Sequence, residues 1–241
     1  MIWVLFQIGC LGIGDSIQEK EQNTNEEDLD SVYCYLLSSH QASYSASDQE
    51  ILYEYDGEYT WNNQRAELIW YNTMNSTTLY TGHIQLNHNK CAEELRINYT
   101  TGYSYSNYTE YIEADWCKVR RFEIDYDDTT IDDIVTNYSW EGNRQESDNG
   151  YSEYNDMGYV TKTVGYNDDT EYLYEYDCDN YWCKTIRTTT DGIVIDHQWD
   201  GNTMQSENGG YYIYNQYGAL LETKIINENS TTEVYSEFDC Q

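Results

Sequence analysis

Cysteine is the residue type with the clearest chemistry in this sequence of 241 residues. Six of the seven cysteines, from Cys34 onward, lie in a polar stretch, and an even number there is typical of disulfides in an exported protein. Cys178 and Cys183 flank four residues at which a hairpin would bring two strands together, so we expect them to pair. A zinc site is the weaker alternative, because no second close pair of Cys or His completes four ligands.

The seventh cysteine, Cys10, ends an apolar run that begins at Met1 and is too short to span a bilayer. This run resembles the end of a lipoprotein signal peptide, in which the Cys carries the lipid. Residues 1–10 are therefore predicted to be a remnant of such a signal, and the acidic residues 11–31 a flexible tether. The prediction places the protein on the extracellular face of a membrane, anchored to membrane lipid through Cys10. A short apolar strand with a buried Cys is the alternative.

Residues for catalysis do not form a recognisable pattern. The four histidines stand in unlike contexts, so we predict that each lies on the surface. No Gly-x-Ser-x-Gly, His-Glu-x-x-His or phosphate-binding glycine loop occurs in the sequence. The 44 Asp and Glu are too dense to identify an acid/base pair. We predict a protein that is not an enzyme, and the alternative is a secreted hydrolase with an unrecognised carboxylate site.

Two acidic segments offer oxygen atoms to a cation. Asp125–Asp128 with Asp132 and Asp133, and Asn167–Asp169, could supply ligands to calcium, but both lack the Gly and terminal Glu of an EF-hand loop. They are predicted to be solvated turns, with calcium as the weak alternative and no other cofactor. The formal net charge of −32 repels polyanions and makes nucleic acid a poor partner.

Five Asn-x-Ser/Thr sequences are candidates for N-glycosylation in an exported chain. The acceptors are Asn75, Asn98, Asn107, Asn137 and Asn229. Because Asn, Ser and Thr are abundant, these sequons alone do not decide where the protein resides.

Composition predicts strands. The chain has 28 Tyr, 15 Gly and no Pro, and Tyr favours a pleated, half-buried surface. The dipeptides Asn149-Gly150, Asp191-Gly192 and Asn208-Gly209 are predicted to close hairpins. No sustained apolar period of 3.6 residues occurs, although residues 92–96 could form one helical turn. We therefore predict an all-β fold of antiparallel hairpins in an extended, twisted, solenoid-like sheet.

The C-terminal half of the sequence repeats itself. Trp140-Glu141-Gly142-Asn143 recurs as Trp199-Asp200-Gly201-Asn202, 59 residues later. A fainter first copy begins near Trp61, with Asn87 where the later copies have Asn155 and Asn215. A fixed period of this length indicates stacked copies of one supersecondary unit. The predicted β-repeat domain is 32–241, with approximate units 53–117, 140–183 and 199–240.

Two heptads resemble a known repeat. Tyr154–Val160 and Tyr214–Leu220 share the pattern Tyr-Asn-x-x-Gly-x-(Leu/Val), which is similar to the YD repeat of the RHS family. If the two copies are equivalent, Gly158 and Gly218 occupy equivalent turns and are expected to have positive φ. The resemblance implies consecutive hairpins that wind into an extended spiralling sheet, often in surface proteins. Together with the lipoprotein-like start, it predicts an exported surface protein with a structural role or a role in binding glycans or other surface proteins.

Overall fold

The protein is all-β and consists of antiparallel strands joined in chain order. A computed structural model describes residues 33–112, 116–167, 169–179 and 182–240, and no helix occurs among them. The strands are β1 Cys34–Ser45, β2 Ile51–Asn62, β3 Arg65–Asn72, β4 Thr77–Leu86, β5 Ala92–Tyr99, β6 Ser104–Tyr111, β7 Val119–Tyr126, β8 Ile134–Asn137, β9 Ser139–Glu141, β10 Arg144–Ser147, β11 Gly150–Tyr154, β12 Val160–Gly165, β13 Glu171–Cys178, β14 Cys183–Thr190, β15 Ile193–Asp196, β16 Gln198–Asp200, β17 Thr203–Gln205, β18 Tyr211–Tyr214, β19 Leu220–Ile226 and β20 Ser230–Cys240.

The strands form two open sheets. One has thirteen strands, β16 to β20 followed by β1 to β8, and the other has seven, β9 to β15. A single residue links the sheets at each of two places, Tyr138 between β8 and β9 and His197 between β15 and β16. Because β20 pairs with β1, the first and last strands are neighbours, and Cys34 lies opposite Cys240.

The first five strands form the apolar core. In β3, Ala66, Leu68 and Trp70 are buried and alternate with exposed residues, since successive side chains of a strand point to opposite faces. Strands β1 to β5 supply all the members of the buried cluster, which are Leu36, Tyr59, Leu68, Trp70, Tyr80, Ile84, Leu86 and Ile97. Aromatic rings therefore provide much of the buried area, as the scarcity of aliphatic residues in the sequence requires.

The buried rings also satisfy their polar atoms. Trp70 Nε1 donates a hydrogen bond to the Tyr59 hydroxyl at 3.1 Å. The Trp70 ring lies 5.9 Å from that of Tyr80, which lies 5.4 Å from that of Tyr99. Burial raises the pKa of Tyr59 to about 12, because a phenolate loses hydration in an apolar site.

The two ends of the sheets differ. Antiparallel order places nine connections at one end, which we call the turn end. They are β1–β2, β3–β4, β5–β6, β7–β8, β10–β11, β12–β13, β14–β15, β17–β18 and β19–β20. The other connections and the three disulfides lie at the opposite end, which we call the junction end. The nine connections at the turn end contain twelve Asp and Glu and no Lys, Arg or His. Negative charge is therefore concentrated at one end of the strands.

Some local predictions need correction. Asp191-Gly192 forms the predicted two-residue turn, with φ of 49° and 84°. At Asn149-Gly150, however, Asp148 and Asn149 form the turn, because Gly150 already pairs with Ser147. The turn around Asn208-Gly209 is longer and spans 206–210.

The possible helical turn at residues 92–96 is wrong. This segment belongs to β5, which pairs with β4 on one side and β6 on the other. The alternation of Leu95 and Ile97 toward the core face, with Arg96 between them, fits a strand better than a helix.

Candidate functional site

Three tryptophans make the same contact at the junction end. The indole Nε1 of each donates to a backbone carbonyl located two residues after a disulfide-bonded cysteine. The pairs are Trp61 with Leu36 at 2.7 Å, Trp140 with Val119 at 2.7 Å, and Trp199 with Thr185 at 2.8 Å. This shared contact defines three structural units, β1–β6, β7–β13 and β14–β20, which we call the first, second and third units.

An asparagine organises one loop in each unit. Its side-chain Oδ1 accepts the N–H groups of the residues two and four positions later. The three asparagines are Asn87, Asn155 and Asn215. Three residues after each one, the backbone has positive φ: 63° at Lys90, 81° at Gly158 and 83° at Gly218. The expected left-handed glycines are confirmed, and Lys90 stands at the same position in the first unit.

Disulfides close the junction end. They are Cys34–Cys240, Cys91–Cys117 and Cys178–Cys183, and the last is the pair that the sequence favoured. In the third unit Asn215 Nδ2 lies 3.3 Å from Cys240 Sγ, and in the second unit Asn155 Nδ2 lies 3.9 Å from Cys183 Sγ. Asparagine thus links each of these loops to a disulfide.

Aromatic rings fill the space between loop and disulfide. Trp182, Trp199 and Tyr214 lie with ring centroids 5.1 to 5.7 Å apart. Lys184 Nζ lies 5.6 Å from both indole centroids, and a cation near an aromatic face is favourable. A Cβ at Gly218 would lie 2.8 Å from Trp182. Trp116, Trp140, Tyr154 and Lys118 have the same arrangement in the second unit. We therefore infer that the junction end stabilises the fold.

The candidate binding site lies on a sheet face. A groove of about 280 Å³ crosses β20, β1, β2 and β3. We call it the acidic tyrosine groove, and the side chains on its face are Ser38, His40, Asp56, Glu58, Tyr71, Tyr235 and Glu237. Strand register brings them together, since His40 lies opposite both Asp56 and Tyr235. Ser38 and Glu237, which are 199 residues apart in sequence, border it together because β20 pairs with β1.

Carboxylates surround the only histidine that lines the groove. His40 Nδ1 lies 2.5 Å from Asp56 Oδ1, and Nε2 lies 3.6 Å from Glu54 Oε1. A Ser-His-Asp site needs the second imidazole nitrogen to face a nucleophile, whereas here it faces a carboxylate. The arrangement of His40 therefore differs from that of a Ser-His-Asp site.

Tyrosines beside these carboxylates stay neutral. The Tyr71 hydroxyl donates to Glu58 Oε1 at 3.2 Å, and burial raises its pKa. The Tyr235 hydroxyl donates to Glu233 at 3.3 Å, and burial raises its pKa as well. The groove thus presents phenol rings and hydroxyl groups together with carboxylate acceptors. This surface suits hydroxyl-rich or cationic ligands and repels anions.

The predicted glycosylation sites fall into two groups. Asn75, Asn137 and Asn229 are exposed. Asn98 lies within β5, where its Oδ1 accepts from Arg96 Nε at 3.1 Å, and Asn107 lies within β6 with a buried Oδ1. The exposed group therefore offers the most space for a glycan on the folded chain.

The first of the two acidic segments, for which solvated turns were predicted with calcium as the alternative, holds its described carboxylates on different partners. Asp127 accepts from Arg96 Nη2 at 2.7 Å, Asp128 accepts the N–H of Thr130, and Asp133 accepts the N–H of Tyr126. These carboxylates therefore have separate partners. Within the described chain, no group of three His, Cys, Asp or Glu could hold a metal ion.

The prediction of surface histidines is wrong for one residue. The His83 side chain is only 15% exposed and lies 3.2 Å from Glu94 Oε1. Its neighbours on β4, Gly82 and Ile84, are buried. This strand is therefore more buried than its polar sequence indicated.

The predicted lipid-bearing Cys10, the signal remnant 1–10 and the tether 11–31 lie outside the described residues. Among the residues that the structure does describe, no helix has the length and apolar character needed to cross a membrane.

Comparison with known proteins identifies no relative by sequence. No protein-family profile matches the chain, and no curated protein matches it. Among solved structures, a porin-like protein from Bacteroides uniformis is similar over 85% of this chain and 96% of that one, with 9% identity and a TM-score of 0.39. At that score the likeness carries no argument about fold or function.

Proposed function

We propose that the protein is an exported surface protein, tethered to membrane lipid through Cys10, whose acidic tyrosine groove binds a glycan. The groove is the observation that supports this proposal. It combines two tyrosine rings with several carboxylates on an open sheet face, where a sugar ring can stack and its hydroxyl groups can donate hydrogen bonds.

The charge of the groove limits the class of glycan that it can bind. Asp56, Glu58 and Glu237 line it, and the whole chain carries a net charge of −32. Acidic glycans would be repelled, so the proposed ligand is a neutral sugar or an amino sugar. The volume of about 280 Å³ is at the lower end of small-molecule sites, which span roughly 300–1,000 Å³. It suits a terminal sugar rather than a long buried chain.

A glycan array followed by calorimetry tests the groove. Tyr235→Ala should weaken binding at least tenfold, because it removes a ring that is 42% exposed beside His40. Tyr172→Ala is the matched control, since Tyr172 is 39% exposed but lies on β13, away from the groove. Equal affinities of the two variants, or binding of acidic glycans alone, would contradict the proposed site.

Cell fractionation tests the tether. In the native host, Cys10→Ser should move the protein from the membrane fraction to the soluble fraction, because the thioether to lipid can no longer form. A control substitution at Ser16 should leave the protein in the membrane fraction. Membrane association that persists in the Cys10 variant would remove the lipoprotein proposal without affecting the groove.

The alternative, a secreted hydrolase, would use carboxylates of the same groove. Hydrolysis of the sugar identified on the array, lost in Asp56→Asn and Glu237→Gln, would favour the enzyme. Binding without turnover favours recognition.

The relation to YD repeats is also a proposal. It is supported by the hairpin order and by the loops at Asn155 and Asn215, which have the same hydrogen bonds.

A further inference from the structure

The turn end combines negative charge with exposed apolar surface. Sixteen large apolar side chains are exposed in the described chain, and twelve of them lie in the turns of this end or within three residues of a turn. The twelve are Ile51, Leu52, Met74, Ile131, Ile134, Val135, Tyr166, Tyr172, Leu173, Ile193, Val194 and Ile195. Exposed apolar side chains that adjoin one another are typical of an interaction surface, whereas singly scattered ones need no explanation.

One hairpin tip in each unit follows the same pattern. Acidic turn residues precede an aliphatic pair at Ile51-Leu52, at Ile134-Val135 and at Ile193-Val194. The tip of β14 and β15 is the most apolar, with Ile193 70% exposed, Val194 56% and Ile195 42%. The feature therefore recurs with the repeat and is strongest in the third unit.

The outer edge of β15 is open. It is the last strand of its sheet and, in the described chain, pairs with β14 alone. The two-residue turn makes Thr190 and Ile193 a hydrogen-bonded pair, and the His197 N–H also points inward, to the Ile186 carbonyl at 2.8 Å. Since the pattern alternates along an antiparallel strand, the N–H and C=O groups of Val194 point outward.

Most of the usual protections of an edge strand are missing from β15. Proteins blunt such an edge with a very short strand, Lys, Pro or a bulge. Strand β15 is short, at four residues, but Ile193–Asp196 contains no Lys or Pro and pairs with β14 in regular register. The one charged side chain, Asp196, is held by Arg187 Nε at 2.6 Å. An added strand could therefore form main-chain hydrogen bonds and contact three aliphatic side chains.

We propose that the outer edge of β15 binds an extended, cationic segment of a partner protein as an added strand. Charge selects this occupant: residues 169–196 contain seven Asp and Glu but only two Lys and Arg. A second copy of the chain would bring its own charge of −32 to the same place, which opposes self-pairing. This site is independent of the acidic tyrosine groove, which lies on β20, β1, β2 and β3.

A labelled peptide of alternating lysine and valine serves as the probe for the disulfide-bonded full chain. Fluorescence anisotropy should show binding that weakens with added salt, and hydrogen exchange should show new protection at Val194 and Asp196. Val194→Pro should weaken binding at least tenfold, because it removes an outward N–H while sparing the bonds to β14. Val194→Thr, which keeps that N–H, should bind the peptide as the unmodified chain does.

Four outcomes would overturn the proposal. These are no binding of the lysine–valine peptide, equal binding of a glutamate–valine peptide, equal effects of Val194→Pro and Val194→Thr, and protection of Val194 by protein concentration alone, which would indicate a second copy. Near-ultraviolet circular dichroism checks the fold of each variant. If Val194→Pro does not fold, Val194→Lys replaces it and should weaken peptide binding by charge repulsion. Tyr235→Ala should leave peptide binding unchanged, so failure here is separable from failure of the glycan proposal.

Discussion

The first unit and the two later units use the same hairpins but are stabilised differently. All eight residues of the buried cluster lie in β1–β5. Among the residues that the structure describes between 119 and 240, the buried apolar side chains are Trp182, Cys183 and Ala219, and all three lie at the junction end. A repeat can thus keep its backbone geometry while the stabilising contacts differ, from an apolar sheet face in the first unit to loops, rings and disulfides in the later units.

The loops show what stayed common to the units. Asn87, Asn155 and Asn215 make the same backbone contacts, although the aromatic residue before the later two is Leu86 in the first unit. A hydrogen-bonded loop is determined by local geometry, and so it tolerates changes in the packing around it.

The largest expected effect separates the two modes of stabilisation. Ile84 is 1% exposed within the core and Ile193 is 70% exposed at the turn end. Ile84→Ala should lower the free energy of unfolding by about 2–5 kcal/mol, because it removes buried methyl groups and leaves a cavity. Ile193→Ala should cost below about 0.5 kcal/mol. Denaturant unfolding measures both, and equal losses would show that the core does not dominate the stability of the first unit.

The next effect concerns the loops of the later units. Gly218 has φ of 83° and would place a Cβ 2.8 Å from Trp182, whereas Gly192 has φ of 84° and an open surrounding. Gly192→Ala should cost about 1 kcal/mol from backbone strain alone. Gly218→Ala should cost more than about 2 kcal/mol, since the Trp182 ring must also move. Thermal unfolding of both variants measures these costs. Equal costs would mean that the contact with the Trp182 ring does not affect stability.

Alkaline pH should weaken the third unit through Tyr214. Burial raises the pKa of Tyr214 to about 12 from its usual value near 10. The folded state therefore holds the proton more tightly than the unfolded state. Stability from this group is complete below pH 10 and is lost as the pH rises from 10 to 12, by up to about 2.7 kcal/mol.

Tyr214→Phe should accordingly flatten the fall in unfolding free energy between pH 10 and 12. The substitution retains the ring packing against Trp182 and Trp199. Urea unfolding at a series of pH values measures the slope. An unchanged slope would show that Tyr214 titrates alike in both states.

The smallest effect tests the shared tryptophan contact. Trp199→Phe removes the indole N–H that donates to the Thr185 carbonyl at 2.8 Å. The expected loss is about 1 kcal/mol, the usual net value of one hydrogen bond, together with lost packing. Trp61→Phe should cost more, because Trp61 also packs against the core cluster of the first unit. Urea titrations that give the reverse order would undo the distinction between the units.

Local sequence predicted much of the fold. Trp140 and Trp199 led to the repeat, Gly158 and Gly218 to left-handed loops, and the spacing of Cys178 and Cys183 to a bridge. Each of these features depends on neighbouring residues or on a fixed backbone requirement of glycine. Turn boundaries were less accurate, as at Gly150, because strand register decides where a turn begins.

The groove could not be found in the same way. His40 and Tyr235 are far apart in sequence and become neighbours because β20 pairs with β1. Ser38 and Glu237 meet for the same reason. Strand pairing between the two ends of a chain depends on the whole sheet, and no local pattern in the sequence encodes it.

By itself, the amino-acid sequence determined the all-β class, the hairpin repeat, the strong negative charge and one disulfide, since composition, period and short spacings carry these properties. Tertiary structure alone decided that β1–β5 would form the apolar core, that Cys34 would bond to Cys240, and that the acidic turns would lie at one end of the strands. The physical reason is that these features depend on which strands become neighbours. That choice depends on the pairing of all the described strands together.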